Sequence, residues 1–343
     1  MQMPGEALLL KMWETLIEKG IGGLISPYYT VWKNKKLTLG AIELDKISKI
    51  AIANGEEEIV ELDNSQLLIT NQLESINKQN NFPMGTVQEY VRKNEVRRLI
   101  QEELNVTQAI IHANNRLLND ETPLPENVIN IDWLHMWRDN ASKVSDEEVQ
   151  SLWGNVLAQE FIEPGRYSLR LLEFIKTLSK SEALVIEKIA PYTSKLGVVF
   201  GRVNNEEFLT DDRVFLEKTN LSRTELKLLE EIGVLSDLSG LGMVNEFENM
   251  KKKDEAGFLS GFLINDDTAL MLSSESINES LNDKLSIAYY SITKIGREVL
   301  SLINYETEPH HLEWLAHQFS KDYKVTICDY SNEVLEPQHI FDV

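Results

Sequence analysis

The stretch from Ile131 to Tyr192, which begins IDWLHMWRDN, constrains the fold more than any other because it is punctuated as four successive helices. Asp132 can cap a helix with Trp133, Leu134, Trp137 and Ala141 on one side. Ser145 and Glu148 have the spacing of a capping box, in which the hydroxyl satisfies an orphan N–H and the glutamate reaches back to the cap. Val149, Leu152, Trp153, Val156, Leu157 and Phe161 then recur at helical spacing and leave one wet face. Gly154 interrupts this helix at a cost of about 1 kcal/mol relative to alanine, so another backbone is expected to approach closely there. Pro164-Gly165 turns the chain. Ser168 caps a third helix that buries Leu171, Leu172, Phe174, Ile175 and Leu178; Ser179 with Glu182 boxes the start of a fourth, which Pro191 ends. The three tryptophans suit a shared core, since each ring can bury roughly 150–250 Å². The chemistry of this stretch is packing, not catalysis.

Before it the chain reads as helical. Glu6–Lys19 is amphipathic, with Leu9, Met12, Trp13, Leu16 and Ile17 on one side, and a glycine-rich run leads on to Trp32 among Lys33, Lys35 and Lys36. Its charges interrupt any apolar run long enough to span a bilayer. Two readings follow: the helix docks on the protein's own core, or Leu9, Trp13, Leu16, Ile17 and Trp32 meet a membrane surface or a partner. Residues 37–80 are polar and helix-prone. After the turn Asn81–Gly85, Thr86–Asn119 reads as one helix that would be about 50 Å long. The two long segments predict an antiparallel hairpin resembling a coiled coil, an arm of a kind that packs against another chain or spaces two modules. Pro123 and Pro125 mark the first clear boundary.

After Pro191 the pattern changes. A short strand is expected at Leu196–Val203, helices at Asp211–Thr219 and Ser222–Ile232, and strands at Gly257–Ile264, Thr268–Leu272 and Leu285–Ile292. Thr293–Ile303 then reads as a helix, and Tyr290–Leu300 resembles the strand-to-helix junction of winged-helix regulators. Arg223 and Lys227 are outnumbered by Glu225, Glu230 and Glu231, which opposes reading of bases by that helix. Asn245–Glu255 and Ser273–Asp283 read as solvated loops. The tail reads as a helix at Pro309–Phe319, a strand at Tyr323–Cys328 and a loose end.

The formal net charge of −21 opposes non-specific binding to nucleic acid, though it permits a locally basic face. A single cysteine, Cys328, rules out an internal disulfide framework and fits a reducing compartment; its strand pattern favours burial. No secretory signal is evident, so a cytoplasmic protein is expected, with peripheral attachment at the inner membrane as the variant that residues 6–32 would allow. His310, Glu313 and His317 share one helical face as a candidate metal set, but without H-E-x-x-H spacing or an identifiable further ligand. Glu160 and Glu163 form a candidate acid/base pair near a helix end. Arg166 and Arg170 are candidate anion contacts, or pair with Glu160, Glu163 or Glu173. Phosphate-loop, dinucleotide-binding, nucleophile-elbow, paired C-x-x-C and R-x4-6-H nuclease patterns are absent, which weighs against an enzyme. No catalytic residue and no cofactor is assigned.

The pattern D-W-L-x-x-W-R-D-x-A at Asp132–Ala141, S-D-E-E-x-Q-x-L-W-x-x-V-L-A-x-E at Ser145–Glu160 and P-G-x-Y-S-L-R-x-L-E-F at Pro164–Phe174 resembles the bacterial domain-of-unknown-function family 2806. Trp13–Pro27 is similar to that family's opening, so the resemblance covers roughly the first half. Its motif residues here are Asp132, Trp133, Trp137, Trp153, Glu160, Pro164, Gly165, Ser168 and Arg170, all read as structural. Leu152–Pro191 also resembles the helical abortive-infection alpha proteins linked with phage resistance. The expected fold is mainly α with a smaller α+β part: an amphipathic segment (1–36), a long helical hairpin (37–120), a central helical bundle (131–192), a winged-helix-like module (193–305) and a terminal helix and strand (306–343). The leading expectation is a non-enzymatic interaction protein (scaffold, sensor or regulator) in a phage-defence setting, partnered by a second copy or another protein. The alternatives are a membrane-active effector and a hydrolase or nuclease assembled from scattered residues.

Overall fold

A helix of 34 residues, α3 (Met84–Leu117), is the axis of the first of two compact units, Met1–Lys176 and Thr177–Val343. The computed structural model describes residues 5–26, 41–77, 84–118, 120–194, 197–199, 216, 219–236, 243–247, 258–263, 268–273, 285–306, 308–319, 324–331 and 334–341. Around α3 stand α1 (Glu6–Glu18), a 3₁₀ turn (Gly23–Ile25), α2 (Ala41–Asn77), α4 (Ile131–Ala141) and α5 (Glu147–Ile162), each in contact with it. α6 (Leu169–Thr177) follows α5.

α1 is helical because its apolar residues Leu8, Leu9, Met12, Trp13 and Leu16 fall on one face, and all five are buried. At about 1.5–3 kcal/mol each, their burial contributes on the order of 10 kcal/mol before entropy is counted. Trp13 Nε1 donates to Asn114 Oδ1 at 2.9 Å, fastening α1 to α3. The segment thus takes the self-docking course in this conformation, with Ile17 half-buried; Trp32 lies outside the described residues.

α2 and α3 form the expected antiparallel hairpin. Gln66 Nε2 donates to Asn94 Oδ1 at 2.7 Å, Asp63 pairs with Arg97 at 2.9 Å, and Gly55 lies against Leu104, so partner numbers rise on one helix as they fall on the other.

α3 and α5 cross with their backbones close together. A Cβ on Gly154 would lie 2.7 Å from the Ala109 carbonyl oxygen and 2.9 Å from the Ala113 nitrogen. Gly154 therefore does what its cost implied, letting two helix backbones touch. Trp137 Nε1 donates to the Trp153 carbonyl at 2.9 Å and joins α4 to α5.

Two caps differ from expectation. Asn130, not Asp132, caps α4: its backbone is extended and its side chain accepts from the amides of Asp132 (2.8 Å) and Trp133 (3.3 Å). Asp146, not Ser145, caps α5 by accepting from Val149 N at 3.1 Å, while the Ser145 hydroxyl turns to Asn105 Oδ1 at 3.4 Å. In both places two residues within two positions of each other can cap, and the one directly before the first helical residue does so.

In the second unit, α7 (Lys180–Ile189) opens with the full Ser179–Glu182 capping box and runs into a 3₁₀ turn at Ala190–Tyr192. It contacts α8 (Arg223–Glu231), itself capped by a Ser222–Glu225 box. β1 (Val198–Val199), β2 (Leu235–Ser236) and β3 (Met243–Phe247) all pair antiparallel with β6 (Leu285–Ile292), giving the order β1–β6–β2 with β3 further along β6. Thr293 caps α9 (Lys294–Leu300), where Gly296 is required because a Cβ would lie 2.2 Å from the Val234 carbonyl oxygen. β4 (Phe258–Leu263), β5 (Thr268–Ser273), β7 (Lys324–Ser331) and β8 (Val334–Phe341) form a second antiparallel sheet in that order. α10 (Pro309–Phe319) contacts β7.

The chain is thus mainly helical with a smaller antiparallel-sheet part. The tail is not loose: β8 is an edge strand, and its Pro337 falls at a register shift opposite Cys328, where a missing N–H is tolerated. β3 takes the start of what reads as a loop at Asn245–Glu255, and the helix expected at Asp211–Thr219 falls almost entirely outside the described residues.

Candidate functional site

The hairpin arm carries the clearest surface signal. Its two helices meet along Gly55, Ile59, Leu62, Gln66 and Ile69 of α2, while Ile50, Val60, Leu67 and Leu68 point the other way and are 52–66% exposed. On α3, Val87, Tyr90, Val91 and Leu99 are 38–59% exposed. More than half of the large exposed hydrophobic residues among the described residues therefore sit on this one arm. Charges interleave them, with Glu95, Arg98 and Glu102 linked along α3 and Lys93 paired with Glu89 at 3.1 Å. A concentration of exposed apolar side chains on one element is a usual mark of an association region.

At the root of the arm lies a polar cleft of ≈ 370 Å³, lined by Asn94, Arg97, Arg98, Gln101, Glu102 and Asn105 of α3 and by Ser142, Lys143 and Ser145 of the turn between α4 and α5. Asn105 is buried and builds the floor. Its Nδ2 donates to the Ser142 carbonyl at 2.7 Å, and its Oδ1 accepts from Gln101 at 3.1 Å. Two cations meet at Glu102 Oε1: Arg98 Nη1 at 2.7 Å and the Lys143 ammonium. The hydrogen bond from Lys143, outweighing desolvation and helped by the charges of Lys143 and Arg98, holds the Glu102 carboxyl below its usual range. Arg98 is held above its usual value, first by its hydrogen bond to Glu95 and then by the charge of Glu102. Nothing in sequence spacing links positions 98 and 143; the only local sign of the cleft is the Arg97-Arg98 doublet in a strongly acidic chain.

Trp133, Trp137 and Trp153 are buried, and no indole lines the cleft. Glu160 is also buried; its Oε1 accepts from Gly165 N at 2.6 Å and its Oε2 from Tyr167 N at 3.1 Å, so it ties down the Pro164-Gly165 turn. Glu163 is exposed and pairs instead with Arg166 at 3.2 Å. Gly165 has φ +90°, a left-handed conformation that glycine adopts without strain. Ser168 Oγ accepts from Leu171 N at 3.3 Å, opening α6. Arg166 lies 5.6 Å over the Tyr167 ring, whereas Arg170 and Asp132 are exposed.

In the second unit His310 Nδ1 lies 3.7 Å from Glu313 on an exposed face, and His317 is exposed on the same helix. Among the described residues no group of three or more His, Cys, Asp or Glu could hold a metal ion. Cys328 is buried in β7. No helix among the described residues is long and apolar enough to cross a membrane.

The family described as "Protein of unknown function (DUF2806)" matches residues 89–316. The match takes in the motifs at Asp132–Phe174 and most of the second half, and begins after Trp13–Pro27. No curated protein and no solved structure matches the chain.

Proposed function

The chain belongs to that family, and on that premise we propose that it is a non-enzymatic bacterial interaction protein that assembles with a second copy of itself through the outer faces of the α2–α3 arm. The carrying observation is the set of eight half-exposed apolar side chains on the arm, from Ile50 to Leu99. A second hairpin laid against it would complete a four-helix bundle, the usual way for a two-helix arm to bury both faces. Burying what remains exposed contributes about 1 kcal/mol for each side chain that the partner covers, to be set against an association cost of ~4–15 kcal/mol. The net charge of −21 opposes nucleic acid and an anionic membrane and also sets two copies against each other, so self-association should strengthen as salt is raised.

The strand order β1–β6–β2 beside α7 and α8 supports a winged-helix-like shape for the second unit, used for protein contacts. Its α8 carries Glu225, Glu230 and Glu231 against Arg223 and Lys227, a poor surface for phosphates. We place the protein in the cytoplasm, in a phage-defence setting that rests on the resemblance of Leu152–Pro191 alone.

Sedimentation equilibrium of the full chain at tens of micromolar tests the assembly. The expected result is a dimer or higher species, reduced to monomer by the pair Val60→Glu and Leu67→Glu with helix content unchanged, since both side chains already face solvent. A monomeric wild-type chain, or an assembly indifferent to both substitutions, overturns the reading.

A further inference from the structure

The cleft at the root of the arm carries a donor inventory that suits one ligand chemistry, independently of whether the arm self-associates. Its walls hold three cations, Arg97, Arg98 and Lys143, against one carboxylate, Glu102; the remaining lining groups are amides and hydroxyls. Each cation already has a carboxylate partner, Asp63 for Arg97, Glu95 and Glu102 for Arg98, and Glu102 for Lys143, so an anion enters by exchange with these partners and not by filling an uncompensated positive field. Every lining side chain ends in a polar or charged group, and only the aliphatic stems of the long ones offer apolar surface, whereas most small-molecule sites are lined largely by hydrophobic and aromatic side chains. Arg98 from the helix and Lys143 from the turn converge on a single oxygen of Glu102, which marks the point where the fold concentrates stabilisation of negative charge. Amide donors from Gln101 and Asn105 lie beside it. A guanidinium fork and a mobile ammonium together form the usual grip on phosphate oxygens. We infer that this cleft binds a small phosphorylated solute, whose phosphate oxygens take Arg98 and Lys143 in competition with Glu102.

The competition gives the test a sign. Inorganic pyrophosphate is titrated calorimetrically into the full chain, with sodium chloride holding ionic strength constant. Saturable binding is expected, weakening as salt is raised because the cations are half-exposed. Lys143→Ala and Arg98→Ala should each weaken it about 3–10-fold, less than a buried charge-assisted bond would give. Glu102→Gln should tighten it by a similar factor, since it removes the internal anion but keeps the side-chain shape. Tightening by one substitution and weakening by its two partners does not arise from general damage to the fold. The absence of saturable binding, affinity unchanged in all three variants, or weakening by Glu102→Gln overturns the inference.

Discussion

Substituting alanine for Gly154 tests the architecture of the first unit, because two effects of known size act in opposite directions there. In an unpacked helix, Gly→Ala stabilises by about 1 kcal/mol through backbone entropy. Here the added methyl would meet the Ala109 carbonyl oxygen at 2.7 Å, the Ala113 nitrogen at 2.9 Å and His112 Cβ at 2.5 Å. Two of these are main-chain atoms of α3, so no rotamer change can relieve them. The helices must separate by roughly 0.5–1 Å along a crossing that also packs Val156, Leu157, Val106 and Ile110, and overpacking of this kind costs about 1–3 kcal/mol, occasionally more. The balance is a net loss of up to about 2 kcal/mol, a fall of up to about 8 °C in the melting of a unit this size. Asn155→Ala, one residue on and only half-buried, is the control: it gains helix propensity without a clash. Urea unfolding followed by tryptophan fluorescence, which reports the core indoles, should move the two variants in opposite directions. If Gly154→Ala gained stability in step with Asn155→Ala, the backbone-to-backbone crossing would be wrong.

Glu160→Gln puts an NH₂ group where a carboxylate oxygen now accepts a main-chain N–H, and should cost about 1–3 kcal/mol; a urea midpoint matching wild type would show that the turn does not depend on it. Glu225 bridges to Lys188 on α7 at 2.6 Å, and its carboxyl is held at about 2, chiefly by that ammonium and then by the Ser222 amide and hydroxyl. Because the folded value lies below the ordinary 4.5, this contribution is present above pH 4.5 and is lost as pH falls toward 2. Glu225→Gln should flatten the acid side of the second unit's stability profile between about pH 2 and about pH 5, which urea midpoints across that range would show; an unchanged slope would remove the pair from the account.

What the sequence made legible was whatever one helix decides by itself. The α5 face, the long periodic run of α3 and the Ser179–Glu182 box all follow from spacings under a dozen residues. Gly154 was readable because its local cost demanded a tertiary return. Cap identity was blurred where competent residues stand together, as at Asn130 with Asp132 and Ser145 with Asp146. β8 was hidden by Pro337, which argues for a breaker until an edge position and a register shift accommodate it. Glu160 invited a catalytic reading because sequence reports a carboxylate but not the two amides that occupy it. The cleft was invisible for the same reason: Lys143 reaches Glu102 only because Asn105 holds the turn after α4 against α3.

The two proposals differ in scope, and Arg97 is where they meet. Every residue lining the cleft falls within the span that matches the family, 89–316, whereas α2 lies before it. An anion site at the root would thus be built from the part of the chain that aligns with its relatives, and self-association would draw on a helix outside that part. Arg97 both lines the cleft and pairs with Asp63 of α2, so an anion that recruits it loosens one of the ties between the arm's helices. Coupling between the sites then follows from their sharing one side chain and needs no separate pathway, and by linkage any bias of the ligand on assembly returns as an equal bias of assembly on the ligand. With both side chains of the Arg97–Asp63 pair more than two-fifths exposed, that coupling is a modest one, within about 1 kcal/mol.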